Sequence, residues 1–187
     1  MNRRKFITST IATATSIGLG GTVFSVLSET PSKKSRTAIA VAQQWQDFLP
    51  KGYTGSLALT PIELSEQEWQ KRLSSAAFDV LREEGTEPPG SSALNKQHRD
   101  GIYACEGCEL PLFTSAMKYE SGTGWPSFFT HIPGHLATKR DFKLIWPRTE
   151  YHCIRCGGHQ GHVFDDGPKP TGQRWCNNGV ALKFLPK

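Results

Sequence analysis

The sequence has no excess of charge outside its first forty residues. The 187 residues include 22 Lys and Arg and 17 Asp and Glu, for a formal net charge of +5. Residues 1–40 hold six of these basic residues and one of the acidic ones, so residues 41–187 hold 16 of each sign. A neutral body has no broad field that attracts phosphate, which argues against a general nucleic-acid-binding protein.

The first residues follow the order of an export signal. Arg3 and Arg4 precede a moderately apolar run, FITSTIATATSIGLGGTVFSVL, that is rich in Thr, Ser, Gly and Ala. Small residues at 38–40 or 40–42 offer cleavage sites, and no cysteine stands near them for lipid attachment. We therefore expect a twin-arginine-like leader over residues 1–42 and export to the bacterial periplasm. The alternative is an uncleaved membrane anchor, although this composition makes a weak membrane span.

The rest of the chain suits one folded domain. Few structural signals occur in residues 43–62, which we interpret as a linker leading into a domain at 63–187. Ser65 and Glu68 form a capping-box pattern, followed by apolar residues at helical spacing up to Gly85. The Ser-Ser pair at 74–75 can restart a helix, so the segment predicts one helix or two.

Short runs of aromatic and β-branched residues then alternate with Gly, Pro and Asp. Their pattern predicts a small antiparallel β domain with long connections, and Phe128 and Phe129 are expected in its core. The fold class is therefore mainly β, with one or two short helices before the strands. The expected strands are the runs GIYAC, MKYES, WPSFF, FKLIWP, GHVFDD and VALKFL.

No internal repeat is visible apart from a cysteine pair that is used twice. Cys105 and Cys108 form one C-x-x-C unit, and Cys153 and Cys156 form another. Glycines beside both units favour tight turns, which allow four sulfurs to converge on one ion. The pattern predicts one structural zinc per chain, because zinc accepts four thiolates and is redox-silent. Iron would also accept this set, and two disulfides are the competing interpretation in an oxidising compartment.

One cysteine is then left over. Cys176 lies two residues from both Arg174 and Asn178, so on a strand the three side chains share a face. The arginine would favour the nucleophilic thiolate, and the asparagine amide could donate to an oxyanion. A small buried hydrophobe is the alternative role for a free cysteine.

Two further segments resemble parts of a catalytic site. The run GHQGHVFDD brings His159, His162 and Asp166 together, and a carboxylate behind a histidine fixes its tautomer. Beside an unpaired thiol, these residues suggest an acid–base set. In SGTGWPSFF, Trp125 follows a glycine-rich turn and could present an apolar platform to a methyl-bearing group.

Together these motifs resemble the methionine sulfoxide reductase B family over about residues 64–184. The matching motifs are LREEGTEPP, YACEGCELPLF, SGTGWPSF, CIRCGGHQGHVFDDGPKPTG and RWCNNGVALKF. The resemblance implies a β-rich fold of two antiparallel sheets, a structural zinc on the four paired cysteines, and reduction of methionine-R-sulfoxide, free or in proteins. It also implies Cys176 as nucleophile, Trp125 as the holder of the substrate methyl, and a surrounding set of His159, His162, Asp166, Arg174 and Asn178.

The chain departs from a common pattern of that family at one position. Many relatives carry a second, resolving cysteine in the turn before the tryptophan, as S-G-C-G-W-P, whereas this chain has Thr123 there. The sulfenic acid formed on Cys176 therefore has no internal partner and must be reduced by a thioredoxin-like protein or a small thiol. We expect a monomeric, one-cysteine repair enzyme for oxidised methionine.

Two other functional classes are compatible with parts of the pattern. A zinc-ribbon binding module would need a basic face or an exposed recognition helix, and neither is evident in the neutral body. A zinc-stabilised thiol peroxidase would use the same reactive cysteine, but it would not need Trp125 to hold a methyl group.

Overall fold

The computed structural model describes residues 33–143 and 146–187, with the backbone alone at 33–36. The arginine pair and the apolar run of the predicted leader lie outside these residues. Both predicted cleavage sites lie in the first helix, α1 (Lys33–Gln43), where the Ala38 and Ala42 side chains are buried. Within the described part of the chain, no helix is both long enough and apolar enough to span a bilayer.

Three short helices precede the strands. The segment between Ser65 and Gly85 forms two of them, which resolves the choice between one helix and two there. Helix α2 (Glu66–Arg72) begins at the predicted capping box, where Ser65 accepts from the Glu68 N–H and the Glu68 carboxylate accepts from the Ser65 N–H. Helix α3 (Ser75–Glu83) begins at a second cap, Ser74, whose hydroxyl accepts from the Ala77 N–H. Serine at both helix starts satisfies amide groups that lack partners in the first turn.

The nine strands of the described residues form two antiparallel sheets, so the predicted mainly β fold is confirmed. The smaller sheet has the order β2-β1-β9, and the larger has the order β3-β4-β8-β7-β6-β5. The strands are β1 (Gly101–Cys105), β2 (Pro111–Thr114), β3 (Lys118–Tyr119), β4 (Ser127–Phe128), β5 (Leu136–Asp141), β6 (Arg148–Cys153), β7 (His159–Phe164), β8 (Arg174–Asn177) and β9 (Leu182–Pro186).

Aromatic side chains fill the space between the sheets. Phe113 of β2 stacks on Phe128 of β4 with ring centroids 4.0 Å apart, and Tyr103 of β1 meets the same ring edge-on at 5.0 Å. Phe128 is fully buried, as predicted, and Phe129 packs against the core from a partly buried position. Such ring pairs stabilise the fold by more than their buried area alone contributes. They join the two sheets at β4, the strand next to β8.

One expected strand is absent from its predicted place. The apolar run FKLIWP at 142–147 was predicted to be a strand, but its described residues form the turn between β5 and β6. The strand is instead the polar run LATKRD at 136–141, with three consecutive exposed residues in its middle. An edge strand needs only one neighbour and little apolar surface, so its sequence carries a weak signal.

Candidate active site

Cys176 lies in the middle of the larger sheet, between two polar neighbours. In the pairing of β8 with β4 it faces Ser127, and in the pairing of β8 with β7 it faces His162. Directly paired residues of antiparallel strands lie on the same face, so hydroxyl, thiol and imidazole form a row. The residue beside His162 is Gly161, where a Cβ atom would collide with the Cys176 carbonyl oxygen. Glycine therefore permits β7 to approach β8 here.

A bulge places both predicted histidines on one side of the sheet. Along β6 the pairing advances one residue, from Tyr151 to His152, while along β7 it advances two, from Gly161 to His159. Gln160 is the extra residue, and it turns the chain so that residues three apart no longer point to opposite faces. The rings of His159 and His162 consequently lie 5.4 Å apart.

Each histidine has a carboxylate behind it, but neither carboxylate is Asp166. Nδ1 of His159 lies 2.8 Å from the buried Glu150, and Nε2 of His162 lies 2.8 Å from the buried Asp141. A carboxylate only accepts, so these ring nitrogens carry the protons. Nε2 of His159 and Nδ1 of His162 are then left as the basic atoms, and the former is buried without a hydrogen-bond partner.

Asp166 has a different contact from the one expected. Its carboxylate binds the Arg174 guanidinium through two hydrogen bonds, of 2.8 and 2.9 Å. The guanidinium also lies over the Phe164 ring, 4.2 Å from its centroid. Two-point pairing and ring contact hold Arg174 in one orientation. Asp166 thus positions the arginine, and the carboxylates that orient the histidines are Glu150 and Asp141.

The charge state of Cys176 results from opposing effects. Burial raises the pKa of its thiol above the ordinary value, and the Arg174 charge and the Thr123 and Ser127 hydroxyls oppose that rise without cancelling it. The predicted influence of Arg174 on the thiolate therefore has the right sign, but the resting group at neutral pH is the protonated thiol. Burial also lowers the pKa of His162, with Asp141 as the main opposing influence, so its imidazole is neutral under the same conditions. The two paired residues therefore both rest uncharged, with the proton on the sulfur of Cys176.

Cys176 opens into a small pocket with an apolar side. The cavity has about 130 Å³ of free space, and its wall includes Trp125, Phe164, His162 and Asn178. The Trp125 indole N–H donates to the Glu87 carbonyl oxygen at 3.1 Å, which fixes the ring. The structure thus brings the predicted platform and nucleophile into one cavity.

The amide of Asn178 is already engaged at both ends. Its oxygen accepts from the Glu87 N–H at 3.1 Å, and its nitrogen donates to the Gln160 carbonyl at 3.1 Å. The expected donation to an oxyanion would require exchanging one of these bonds. In the observed arrangement, Asn178 holds the end of β8 against the bulge of β7.

The four paired cysteines converge as predicted. Their sulfur atoms all lie within 4.8 Å of one another, with separations of 3.6 Å between Cys105 and Cys156 and 3.5 Å between Cys108 and Cys153. Four thiolates around a tetrahedral zinc ion with bonds of about 2.3 Å would stand about 3.8 Å apart. All four have free thiols, so the disulfide interpretation has no support and the geometry fits a metal ion.

The two cysteine turns share a backbone geometry. The N–H four residues after the first cysteine donates to that cysteine's carbonyl, from Glu109 to Cys105 at 2.8 Å and from Gly157 to Cys153 at 2.9 Å. Glu109 and Gly157 both have left-handed φ angles, of 61° and 67°. Gln160 donates its amide to the Cys105 sulfur at 3.3 Å, a typical contact for a metal-bound thiolate.

Several polar residues of the site could not be predicted from sequence motifs. Glu150 and Asp141 reach the histidines only through strand pairing, and Arg148 bonds Asp141 at 2.5 Å from the next strand. The Tyr119 hydroxyl is buried without a hydrogen-bond partner, near the charged side chain of Arg174. Glu87 belongs to the quoted motif LREEGTEPP, but its contact with Trp125 depends on the fold.

Comparison with known proteins places this site in a family. The SelR domain model matches residues 73–186. Methionine-R-sulfoxide reductase B2 from Rattus norvegicus mitochondria is 48% identical over 144 residues, covering 73% of this chain and 83% of the relative. Peptide methionine sulfoxide reductase MsrB from Methanosarcina barkeri is 46% identical over 129 residues, covering 68% and 91%. MsrB from Bradyrhizobium diazoefficiens is 48% identical over 124 residues, covering 66% and 89%.

The matched domain and the cysteine cluster define a SelR-type domain. The chain belongs to the methionine sulfoxide reductase B family, as the sequence motifs predicted.

Proposed function

We propose that this protein reduces methionine-R-sulfoxide to methionine, with Cys176 as the nucleophile. The observation that carries the proposal is the row formed by Ser127, Cys176 and His162 beside the Trp125 pocket. A thiol, a proton carrier with a carboxylate behind it, and an apolar wall are the parts that sulfoxide reduction needs. Membership of the family supports the same reaction and the R epimer.

In the proposed reaction, one proton moves from Cys176 to His162 and then to the substrate oxygen. Neutral His162 accepts the Cys176 proton, and the resulting thiolate attacks the sulfur of the sulfoxide. The imidazolium returns the proton to the sulfoxide oxygen, so the sulfur–oxygen bond of the substrate breaks and a new one forms on Cys176. The substrate sulfur gains two electrons and leaves as methionine, while Cys176 becomes a sulfenic acid. His159, with Glu150 behind it, is a second candidate for the same transfer.

Trp125 is proposed to select the substrate. A sulfoxide carries a methyl group on one side and a longer chain on the other, so an apolar wall that accepts the methyl fixes which face meets Cys176. Because the indole N–H is bonded to Glu87, the ring cannot turn freely. Replacing Trp125 should therefore weaken discrimination between the epimers as well as the rate.

Regeneration requires an external thiol. The other four cysteines lie in the cluster, and the glycine-rich turn beside the reactive sulfur carries Thr123 in place of a cysteine. A first external thiol displaces water from the sulfenic acid and forms a mixed disulfide, and a second thiol releases Cys176. A thioredoxin-like protein or a small thiol meets this need.

We infer one structural zinc ion at Cys105, Cys108, Cys153 and Cys156. Four sulfur ligands leave no position for substrate, so the ion would link the turns and take no part in the reaction. Elemental analysis separates zinc from iron. One zinc per chain is expected, and stoichiometric iron would overturn the assignment.

Export by the twin-arginine route is also a proposal. It is supported by the order of charged, apolar and small residues in the leader, and by the need to load thiolates with metal before they meet an oxidising compartment. Cell fractionation of the full chain and of the Arg3→Lys, Arg4→Lys variant tests it. Equal periplasmic amounts of the two would refute it.

Single-turnover reduction of each sulfoxide epimer tests the activity. Wild-type protein should convert about one equivalent of the R epimer and little of the S epimer, whereas Cys176→Ser should convert neither. A wild-type protein that reduces peroxide, but not sulfoxide, would replace the proposal with a peroxidase function. Activity that survives in Cys176→Ser would remove the nucleophile.

A further inference from the structure

The turn between β5 and β6 exposes two large apolar side chains. Phe142 is 72% exposed and Trp146 is 80% exposed, and the next most exposed large apolar side chain of the described residues is Ile39 at 44%. Burial of such rings in a partner is strongly favourable, and their exposure in one turn marks an interaction surface. We call Phe142 and Trp146 the apolar tip.

Both ends of this turn are attached to the active-site pocket. Asp141, directly before Phe142, bonds His162 and Arg148, and Arg148 lines the pocket two residues after Trp146. Asp141 also accepts from the Lys143 N–H at 2.8 Å, which holds the first residues of the turn close to the end of β5. The apolar tip is therefore anchored at the rim of the cavity that holds Cys176.

Most of the cations beside the turn have acidic partners. Nζ of Lys143 lies 2.6 Å from the Glu84 carboxylate, and Arg148 lies 2.5 Å from Asp141. An acidic lipid surface is attracted by clusters of about four or more lysine and arginine side chains. These two cations already have partners, and Arg140 remains as one exposed cation before Phe142. The tip is therefore mainly apolar.

We propose that the apolar tip binds apolar residues that flank an oxidised methionine in an unfolded protein. This inference rests on the proposed function and specifies its substrate class. A pocket of about 130 Å³ takes one side chain, so the neighbouring residues of a polypeptide must cross its rim. Methionine is commonly buried among apolar residues, and oxidation to the polar sulfoxide disrupts such cores. The damaged segment then carries apolar neighbours, which a free amino acid lacks.

The test compares three substrates with the Phe142→Ser, Trp146→Ser double variant. The substrates are N-acetyl-methionine-R-sulfoxide, a peptide with Leu and Phe beside the R-sulfoxide, and a peptide with Ser and Gly there. The variant should lose about tenfold or more in kcat/KM on the apolar peptide, the size expected for burying one large apolar side chain. Its kcat/KM on the N-acetyl substrate and on the polar peptide should stay within about twofold.

A matched control replaces an exposed apolar residue elsewhere. Ile154 is 41% exposed and lies beside the cysteine cluster, so Ile154→Ser should leave all three rates unchanged. Retained activity on the N-acetyl substrate shows that the double variant is folded. Equal loss on all three substrates, or none on the apolar peptide, overturns the inference.

Two other occupants would also overturn it. If wild-type protein sediments with phospholipid vesicles and the double variant does not, the tip binds a membrane. If wild-type protein is a dimer in solution and the variant a monomer, it binds a second copy. A wild-type protein inactive on every sulfoxide refutes the proposed function itself, a result distinct from a missing preference for apolar peptides.

Discussion

The carboxylate behind His162 provides the sharpest prediction. In Asp141→Asn, the side-chain oxygen that accepts from the Lys143 N–H can be kept, so the amide nitrogen replaces the oxygen that faces His162 and Arg148. His162 then meets an N–H donor at Nε2. A neutral ring responds by carrying its proton on Nδ1, and that nitrogen can no longer accept the Cys176 proton.

Two effects set the size of the loss. An opposite charge at hydrogen-bond distance raises a histidine pKa by about 1–3 units, and each unit changes a proton-transfer equilibrium tenfold. Without the Asp141 charge, the Arg148 charge is no longer offset, and it also lowers the pKa of His162. Changing the carboxylate behind a catalytic histidine to an amide can cost about 10⁴ through the wrong tautomer. Because His159 remains as a second base, we expect a fall of about 100-fold in the single-turnover rate.

The assay combines single turnover with histidine titration by NMR. The His162 titration midpoint should move further below its ordinary value in Asp141→Asn, while the rate falls. Asp166→Asn is the matched control for the titration, because Asp166 contacts Arg174 and no histidine. An unchanged or raised His162 midpoint, or an unaltered rate, would refute the reasoning.

Three further predictions follow. Cys156→Ser should abolish metal binding measured by elemental analysis and lower the melting temperature, because three sulfurs cannot complete the tetrahedral set; retained metal with unchanged melting would contradict it. Thr123→Cys should form an internal disulfide with Cys176 after one turnover, detectable as the loss of two hydrogens by mass spectrometry; a persistent sulfenic acid would show that the two positions are too far apart. Two lysines lower the pKa of Glu84 from 4.5 to about 2, so its stabilisation is present above pH 4.5 and lost as pH falls towards 2; Glu84→Gln should flatten acid unfolding in that window, and an unchanged slope would contradict this.

The parts of the site that depend on residues close together in the chain could be predicted from the sequence. A C-x-x-C turn brings its two sulfurs together whatever the rest of the fold, so the four metal-ligand candidates were predictable from spacing. The alternation of a strand likewise places Arg174 near Cys176. Counting the remaining cysteine then identified Cys176 as the candidate nucleophile.

The remaining parts depend on pairing between distant residues. Glu150 and His159 are nine residues apart on neighbouring strands, and Asp141 and His162 are 21 apart. Asp166 lies close to both histidines in sequence, but the bulge at Gln160 turns both rings towards acids on β5 and β6. The strand predicted at 142–147 was wrong for a related reason, since β5 is the polar segment just before it. Composition predicted burial for the apolar turn, whereas the strand is held mainly by its backbone pairing with β6.

Gln160 connects the metal cluster to the reactive strand. As the bulge residue it sets the direction of His159 and His162, and its fully buried amide donates to the Cys105 sulfur and accepts from Asn177, the neighbour of Cys176. Cys105 ends β1 of the smaller sheet and Cys153 ends β6 of the larger one, so an ion held by both would fix the sheets relative to each other. A bound ion would therefore stabilise the register that brings hydroxyl, thiol and imidazole into one row, although the cluster lies outside the pocket.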